Sequence, residues 1–454
     1  MSGVSSRFAA LWLALIILTY LVVGTLFAVY TPAWQAPDEP AHYNYVRYLA
    51  EQGRFPVLQQ GDYPHDYLEE IKRLHFPSEL SIDPIRYEFH QPPLYYLLAT
   101  PVFRLFGGLL VPLRLLSVAL GGGLVYVAYR LALAVCPAQP ALALGTAAFV
   151  AFVPMHVSMT AAVNNDTLAE LLLALALWGL VRYLREEEKN GEGRMERREL
   201  ASVGVLLGLG LLTKIYALIA VVVGVAAVTL RRWRDPRRIA GELAWLLIPV
   251  LVLVLPWLAR NVAVYGWPDV MGLARHDEVV FGQMTTADWI AQHGWEDLIK
   301  EGLRRTYHSF WGKFGWMAVP MDWRIYLALG IFAAVAVAGL VRELVAVSRQ
   351  SKSWSRRSAP AVLLLLSTLL TFLSYLWYNT RFMQFQSRYL FPALVPVGLA
   401  LALGWWTIVC WARSFAANVG WPDRVDGLLF ASPYGGLAVL DVVCLFAFVV
   451  PYLS

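Results

Sequence analysis

The chain has 454 residues, of which 58% are hydrophobic and only 15% are charged. A soluble protein carries about 25% charged residues. Apolar runs long enough to cross a bilayer recur from end to end, so the composition excludes a soluble domain and predicts a polytopic membrane protein. The net charge of +5 arises from loops that orient such proteins, and it indicates no nucleic-acid partner. The three cysteines show no metal-ligand spacing, and no disulfide framework is predicted.

The first apolar segment, 8–30, follows a single basic residue, Arg7. Because it exceeds the ~7–15-residue apolar core of a cleaved signal peptide, it predicts a retained signal anchor with a cytosolic N-terminus. The charged stretch that follows, 31–110, cannot lie in lipid. Within it, 93–106 is apolar but short and contains Arg104, which favours a helix at the membrane interface over a crossing.

The distribution of basic residues supports that choice. If 93–106 does not cross, the basic segments 182–198, 231–238 and 342–357 all face the cytosol, as the positive-inside rule requires. The sequence therefore predicts an all-α polytopic membrane protein with about eleven transmembrane helices. The predicted spans are 8–30, 111–129, 141–160, 166–181, two within 200–230, 242–259, 325–341, 359–378, 389–412 and 428–451.

A single transmembrane domain, 1–454, is predicted, with two large extracytosolic loops at 31–110 and 260–324 and no separate soluble domain. The tight turn 163–167, the turn around Lys214 and the segment 379–388 face the same side. Lys214 interrupts an apolar run, where a cation needs a partner or an aqueous cavity. The glycines at 204, 208 and 210 favour close helix packing there. The tryptophans of 260–324 are typical of an interfacial belt.

Three acidic residues stand out at the extracytosolic ends of the spans. Asp38 and Glu39 lie between two prolines directly after the first span, and charge at a membrane boundary often marks a site. Capping of a helix through 43–50 is the alternative for Asp38. Asp166 begins the span after the tight turn, where helix capping together with Thr167 is about as plausible as catalysis.

Three cations, Lys214, Arg260 and Arg388, lie at the same ends of predicted helices. Carboxylates beside cations suit a reaction on a lipid-linked phosphate, in which a base activates an acceptor hydroxyl and cations hold the leaving phosphate. His42 and His90 are weaker candidates, because a lone histidine near an interface is more often structural. The sequence contains no zinc-helix motif and no nucleophile elbow, so no metal and no cofactor is predicted.

Six short motifs occur in an order that resembles the C-type integral-membrane glycosyltransferases, in particular the bacterial relatives of protein O-mannosyltransferases and of the lipid A aminoarabinose transferase. The motifs are 37–42, 90–96, 164–166, 212–214, 255–261 and 386–392. The resemblance implies a polyprenyl-phosphate sugar donor and an active site on the extracytosolic face of a bacterial plasma membrane. It also implies that Asp38 is the catalytic base, supported by Glu39 and Asp166.

The resemblance further implies a set of residues that bind the lipid phosphate or the donor: Lys214, Arg260, Arg388, His90, His42, Gln386 and Tyr389. Two departures from the family matter. Gln91 stands where the aminoarabinose transferase has a cation, so phosphate binding must be rearranged there. The chain also ends soon after the last span, so recognition of the acceptor is expected from the two large loops or from a partner.

The predicted function is transfer of a sugar, with inversion, from a polyprenyl phosphate to an acceptor lipid, glycan or protein. If the acceptor is itself a phosphate, no base is needed, and Asp38 would orient it. A flippase for a lipid-linked glycan is one alternative, and it predicts ionisable residues midway along several spans, of which the sequence offers few. A non-catalytic envelope scaffold is another, and it predicts that Asp38 is replaceable.

Overall fold

The computed structural model describes residues 6–185, 193–350, 358–416 and 423–454, which are predominantly helical. The helices are α1 (Ser6–Tyr30), α2 (Glu39–Gln52), α3 (His65–Arg73), α4 (Leu94–Leu105), α5 (Leu110–Val135), α6 (Pro140–Phe152), α7 (Pro154–Thr160), α8 (Asp166–Arg185), α9 (Gly193–Leu211), α10 (Leu218–Arg232), α11 (Pro236–Tyr265), α12 (Leu273–Val279), α13 (Thr286–Trp311), α14 (Trp323–Gln350), α15 (Ala359–Asn379), α16 (Leu394–Ala416), α17 (Asp423–Val443) and α18 (Val450–Leu453). Short 3-10 turns occupy Tyr87–His90, Ile215–Ala217 and Ser387–Ala393. In the described chain, two short strands, β1 (Lys313–Phe314) and β2 (Val319–Pro320), form an antiparallel sheet.

The membrane-spanning helices agree with the prediction. Within the described residues, nine helices are long and apolar enough to cross a membrane, and the pair α6–α7, bent by 65°, makes a tenth. The bend falls at Val153, because the following proline disfavours a helical conformation there. The remaining predicted span corresponds to α9, which is apolar from Leu200 onward. The all-α polytopic fold is confirmed, whereas parts of two of the predicted cytosolic segments, residues 186–192 and 351–357, lie outside the described residues.

Small residues allow the helices to touch backbone to backbone. A Cβ atom added to Gly204 on α9 would lie 2.2 Å from the carbonyl oxygen of Leu246 on α11. One added to Gly404 on α16 would lie 1.9 Å from the carbonyl oxygen of Ala336 on α14. Such close approach is how membrane helices gain packing energy without a hydrophobic driving force. The close packing predicted for Gly204 is confirmed.

The first large loop is a folded layer on one end of the helix bundle. Its α2 and α4 pack together, with the rings of Tyr45 and Tyr96 stacked 3.6 Å apart. The short α4 coincides with the predicted interfacial helix, and its Leu94 N–H donates to the carbonyl oxygen of Leu212 at 2.9 Å. This contact places the layer directly against the turn that carries Lys214.

The second large loop is also ordered into regular structure. The preceding α11 continues to Tyr265, beyond its predicted end at residue 259. The loop then contains α12, α13 with a break at Gly294, and the two short strands. Its tryptophans differ in their exposure. Trp311 is buried, whereas Trp267 is 80% exposed, as expected of a residue in an interfacial belt.

Candidate active site

Asp38 lies at the start of α2, but its side chain does not cap the helix. The residue has a left-handed backbone (φ 65°, ψ −4°) and makes no capping hydrogen bond. Instead, the Tyr87 hydroxyl donates to Oδ1 at 2.6 Å, and Nη2 of Arg388 donates to Oδ2. A left-handed conformation costs a non-glycine residue roughly 1–2 kcal/mol, and such strain concentrates at functional sites. The capping alternative for Asp38 is therefore not what the structure shows.

The surroundings of Asp38 set its charge. Burial raises the pKa of this carboxyl group, but the Arg388 guanidinium, the Tyr87 hydroxyl and His42 outweigh burial and lower the pKa to about 2. Asp38 is therefore ionised at neutral pH. While Arg388 remains paired with it, it is also a weak base.

Glu39, the neighbouring carboxylate, belongs to a different cluster. It is 0% exposed and forms a two-pronged ion pair with Arg114, with N–O distances of 2.8 and 2.6 Å. The backbone N–H groups of Trp34 and Val163 also donate to it, at 3.2 and 3.1 Å. Arg114 in turn donates to the carbonyl oxygens of Ala28, Thr31 and Pro32. Glu39 therefore fastens the start of α2 to α5 and to the end of α1.

Asp166 pairs with Lys214 across the turns between spans. The Lys214 ammonium donates to Oδ1 at 2.5 Å, and the two side chains are 15% and 12% exposed. The capping position is taken by Asn164, whose Oδ1 accepts from the N–H groups of Asp166 and Thr167 at 3.1 and 3.4 Å. The Asp166 carboxylate is thereby free for Lys214, which has the partner that its apolar surroundings require.

Gln91 connects the first loop to both turns. The Asn165 side-chain amide donates to Gln91 Oε1 at 3.3 Å and to the Thr213 carbonyl oxygen at 3.0 Å. Gln91 therefore lies beside the Asp166–Lys214 pair as a neutral residue. The cations paired with the two candidate carboxylates are Lys214 and Arg388.

The two histidine candidates are buried and poorly suited to carry positive charge. His42 shares a 2.8 Å hydrogen bond with the Tyr96 hydroxyl, and burial lowers the pKa of His42. The charges of Glu88, Lys214, Asp38 and Asp166 all act on the His42 ring. His90 contacts the Tyr87 carbonyl oxygen at 3.1 Å, and burial together with the adjacent His276 lowers its pKa to about 3. Both rings are therefore expected to be neutral near pH 7.

The segment around Arg388 keeps unused hydrogen-bonding groups. Arg388 Nη2 also contacts the Tyr389 hydroxyl at 3.2 Å, and the guanidinium lies 5.1 Å from the centre of that ring. Among the described residues, no acceptor lies within reach of Arg388 Nε, and Gln386 Oε1 has no donor, although both atoms are buried. Gln386 is held by Gln384 at 2.7 Å. Unpaired buried groups are expensive, which suggests a ligand position.

Arg260 does not join either carboxylate. Its Nη2 donates to the Pro56 carbonyl oxygen in the first loop, and its Nη1 donates to Asn261 Oδ1 at 3.0 Å. The guanidinium also lies 4.8 Å from the centre of the Trp257 ring. In this arrangement Arg260 ties α11 to the outer part of the first loop.

Four of the residues singled out by sequence thus form two acid–cation pairs: Asp38 with Arg388 and Asp166 with Lys214. Sequence reasoning missed Arg114, although an arginine in the first turn of an apolar helix is a usable signal. It also missed the roles of Tyr87 and Asn164. In the part of the chain that is described, no group of three or more His, Cys, Asp or Glu side chains could hold a metal ion.

Comparisons with known proteins agree with this fold. Residues 90–259 match the family model of dolichyl-phosphate-mannose-protein mannosyltransferases. The fold is similar to the Archaeoglobus fulgidus oligosaccharyltransferase tethered to an acceptor peptide (TM-score 0.58, 14% identity, 96% of this chain and 56% of that one). It is also similar to ArnT of Cupriavidus metallidurans bound to undecaprenyl phosphate (TM-score 0.51, 16% identity, 99% of this chain and 74% of that one). A search of curated protein sequences finds no match.

The chain spans about half the length of the archaeal oligosaccharyltransferase. A structure of that enzyme family from the same organism, AglB with an inhibitory peptide and dolichol phosphate, gives a similar result (TM-score 0.54, 13% identity, 97% of this chain and 56% of that one). The resemblance to C-type membrane glycosyltransferases predicted from the six motifs is confirmed by the family model and by the fold.

Proposed function

We propose that this integral membrane protein is a glycosyltransferase that moves a sugar from a polyprenyl phosphate to an acceptor. The observation that carries the proposal is the pair of carboxylate–cation contacts, Asp38 with Arg388 and Asp166 with Lys214, at one end of the helix bundle. An anionic phosphate is attracted to both cations, and the membrane boundary is where the head of a lipid-linked donor lies. The family match and the fold support the same activity.

The geometry supports a mechanism in which the donor phosphate exchanges partners with Asp38. Arg388 has a buried Nε without an acceptor among the described residues, so it has capacity for a phosphate oxygen. When Arg388 turns to the phosphate, the pKa of Asp38 rises, because burial then dominates its surroundings. Asp38 becomes a base only when a donor is bound. This coupling keeps Asp38 from accepting a proton while no donor is bound.

The reaction then proceeds as a displacement at the anomeric carbon. The acceptor hydroxyl gives its proton to Asp38 as its oxygen forms a bond to that carbon. The bond from the carbon to the phosphate oxygen breaks on the opposite face, so the configuration inverts and polyprenyl phosphate leaves. Lys214 and Arg388 stabilise the developing charge on the leaving phosphate. If the acceptor is a phosphate, Asp38 orients it and takes up no proton.

The remaining predicted residues are assigned supporting roles. Glu39 positions Asp38, because its ion pair with Arg114 fixes the first turn of α2. Asp166 holds Lys214 in place until the phosphate arrives. Donor contacts are proposed for Tyr389, which contacts Arg388, and for His42, on which the charges of both pairs act. For Gln386, His90 and Arg260 the proposed contacts rest on the family resemblance. Arg260 reaches a phosphate only after it leaves the Pro56 carbonyl oxygen.

The site is proposed to lie on the extracytosolic face of a bacterial plasma membrane. The basic segments of the sequence lie at the opposite ends of the spans, as the positive-inside rule requires. Labelling of a cysteine introduced at exposed Asp66 in the first loop with a membrane-impermeant reagent, in intact cells, tests this orientation. Labelling without permeabilisation supports it, and labelling only after permeabilisation refutes it.

Turnover by the purified protein in lipid tests the activity directly. A panel of radiolabelled polyprenyl-phosphate sugars is incubated with wild type, Asp38→Asn and the control Asp66→Asn, which removes an exposed carboxylate of the same loop. Labelled product or slow donor hydrolysis that disappears only in Asp38→Asn supports the proposal. Activity that survives Asp38→Asn makes Asp166 the next candidate base. No turnover with any donor by folded protein contradicts the proposal.

A flippase for a lipid-linked glycan is the second candidate. Its supporting observation is that ionisable residues do lie within the spans. His156 and Glu170 are paired at 3.0 Å, and Asp441 is completely buried with neither carboxylate oxygen hydrogen-bonded to a described residue. Such residues often mark transport paths. Translocation of a fluorescent lipid-linked glycan across vesicles, without breakage of the donor, would favour this function.

A further inference from the structure

Glu88 is a buried carboxylate that the mechanism above does not use. It lies in the 3-10 turn Tyr87–His90, directly after the tyrosine that donates to Asp38. Only 9% of its surface is exposed. Within the described residues, no group donates a hydrogen bond to its Oε2, although that atom is buried. No ion pair with a described Lys or Arg compensates its charge either.

A second unpaired acceptor, on Asn165, is linked to Glu88 through Gln91. The backbone N–H of Gln91 donates to the Glu88 carbonyl oxygen at 3.0 Å, and the Gln91 side chain accepts from the Asn165 amide at 3.3 Å. The other end of the Asn165 carboxamide, Oδ1, is buried and has no donor among the described residues. Glu88 and Asn165 therefore lie on either side of Gln91, and each carries an oxygen that lacks a hydrogen-bond donor.

The neighbours of Glu88 place it beside the reacting groups. Its charge acts on the pKa of His42 more strongly than the charges of Lys214, Asp38 or Asp166 do. It also raises the pKa of Tyr96, whose hydroxyl is bonded to His42. Glu88 thus acts on His42, as the charges of the two acid–cation pairs do, and it directly follows the tyrosine that donates to Asp38.

Glu88 Oε2 and Asn165 Oδ1 are hydrogen-bond acceptors, and this property indicates which kind of ligand they would bind. A buried oxygen without a donor keeps an uncompensated desolvation cost, so its retention suggests a ligand that supplies the donor. The anionic phosphate has no donor to offer, and the two cations attract it instead. The hydroxyl groups of the sugar are neutral donors, and the sugar is attached to the phosphate that Lys214 and Arg388 would hold.

We propose that Glu88, assisted by Asn165, binds the transferred sugar by accepting hydrogen bonds from its ring hydroxyls. This inference rests on the proposed function, since it places a polyprenyl-phosphate sugar in the site. Glu88 then distinguishes the loaded donor from the spent lipid phosphate. It binds sugar and makes no contribution to binding of the phosphate. Release of the product lipid is favoured as soon as the sugar has left.

Binding measurements with two lipids test this assignment. Wild type, Glu88→Gln and the control Glu70→Gln, an exposed carboxylate of the same loop, are titrated with a polyprenyl-phosphate sugar and with bare polyprenyl phosphate in nanodiscs. The expected result is that Glu88→Gln weakens binding of the sugar-bearing lipid at least tenfold and leaves binding of the bare lipid phosphate within about twofold, because a neutral amide accepts weaker hydrogen bonds than a carboxylate. Glu70→Gln is expected to bind both lipids as wild type does.

The outcomes separate the two proposals. If wild type binds both lipids and Glu88→Gln weakens neither or weakens both equally, the role of Glu88 in sugar binding is refuted while the proposed function stands. If wild type binds neither lipid, the proposed function fails and this inference fails with it. Glu88→Asp is the second variant should Glu88→Gln not fold, and it keeps the charge but withdraws the oxygens. It is expected to show the same selective loss for the sugar-bearing lipid.

Discussion

Replacement of Arg114 by methionine is expected to destabilise the protein strongly, because its charge is buried together with that of Glu39. The two side chains are 2% and 0% exposed, and two hydrogen bonds of 2.8 and 2.6 Å join them. Removal of one partner from a buried ion pair costs about 3–5 kcal/mol, since the remaining charge keeps its desolvation penalty. Because methionine fills much of the same space as arginine, the loss of stability is attributed to the missing charge and not to a cavity.

A double mutant isolates the pairwise interaction. Glu39→Gln in the Arg114→Met background removes the stranded charge and is expected to restore part of the stability. The coupling energy of the two positions is expected to be about 0.5–3 kcal/mol. Glu39→Gln alone is expected to be milder than Arg114→Met, because Arg114 then still donates to three carbonyl oxygens, those of Ala28, Thr31 and Pro32.

The assay is thermal unfolding of the purified variants in detergent, followed by tryptophan fluorescence. Arg104→Met is the matched control, because Arg104 is exposed and is expected to tolerate the change. A melting temperature of Arg114→Met equal to that of wild type would refute the reasoning. So would a double mutant that is as unstable as the sum of the two single mutants predicts.

Four further predictions follow from the two acid–cation pairs and from the helix packing. Lys214→Gln is expected to reduce kcat/KM for the lipid donor by about 10²-fold, with partial recovery in Lys214→Arg, and unchanged initial rates would contradict the phosphate role. Arg388→Gln is expected to raise the pKa of Asp38, because the largest interaction that opposes burial is then lost, so the acid limb of the pH–rate profile should move upward. In wild type, the pKa of Asp38, about 2, lies below its ordinary value of 3.8. The Asp38–Arg388 pair therefore stabilises the fold above about pH 4, and this stabilisation is lost as the pH falls towards 2. Melting temperatures measured as a function of pH test this prediction. Gly404→Ala is expected to lower the free energy of unfolding by about 1–3 kcal/mol. Gly436→Ala is the control and is expected to be neutral, because an added Cβ meets nothing within 4 Å there. Equal melting temperatures of the two variants would contradict the close helix packing at Gly404.

The transmembrane fold was readable from the sequence because lipid imposes strong rules on it. Runs of apolar residues must be helical, and the basic residues between them select one orientation. The same reasoning identified the segment 93–106 as too short to cross, and the structure places its helix, α4, in the first loop layer. Lys214 was also informative, because a cation in an apolar run requires a partner, and Asp166 is that partner.

Pairings across long stretches of chain were not readable in the same way. Asp38 and Arg388 are 350 residues apart, and Glu39 and Arg114 are 75 apart. Nothing local in the sequence distinguishes Asp38, which faces its cation in the site, from the adjacent Glu39, which points into the core. The left-handed backbone of Asp38 directs the two side chains to different clusters, and it becomes visible only in three dimensions.

Local competition between side chains was the other difficulty. Asp166 and Asn164 are both good helix caps, and the sequence left capping open for Asp166. The structure assigns the cap to Asn164, which frees the carboxylate of Asp166. The contact of Arg260 with the Pro56 carbonyl oxygen in the first loop was likewise not readable from its position at a helix end, and its phosphate contact stays a prediction.

A structure of the protein with polyprenyl phosphate bound in a nanodisc would show whether the donor phosphate and Asp38 exchange partners. We expect the phosphate to contact Arg388 and Lys214, and the hydrogen bond between Arg388 and Asp38 to be broken. Asp38 should then face the open side of the phosphate, where an acceptor hydroxyl would approach. A phosphate bound elsewhere, with the Asp38–Arg388 pair intact, would contradict the exchange of partners and with it the role of Asp38 as the base.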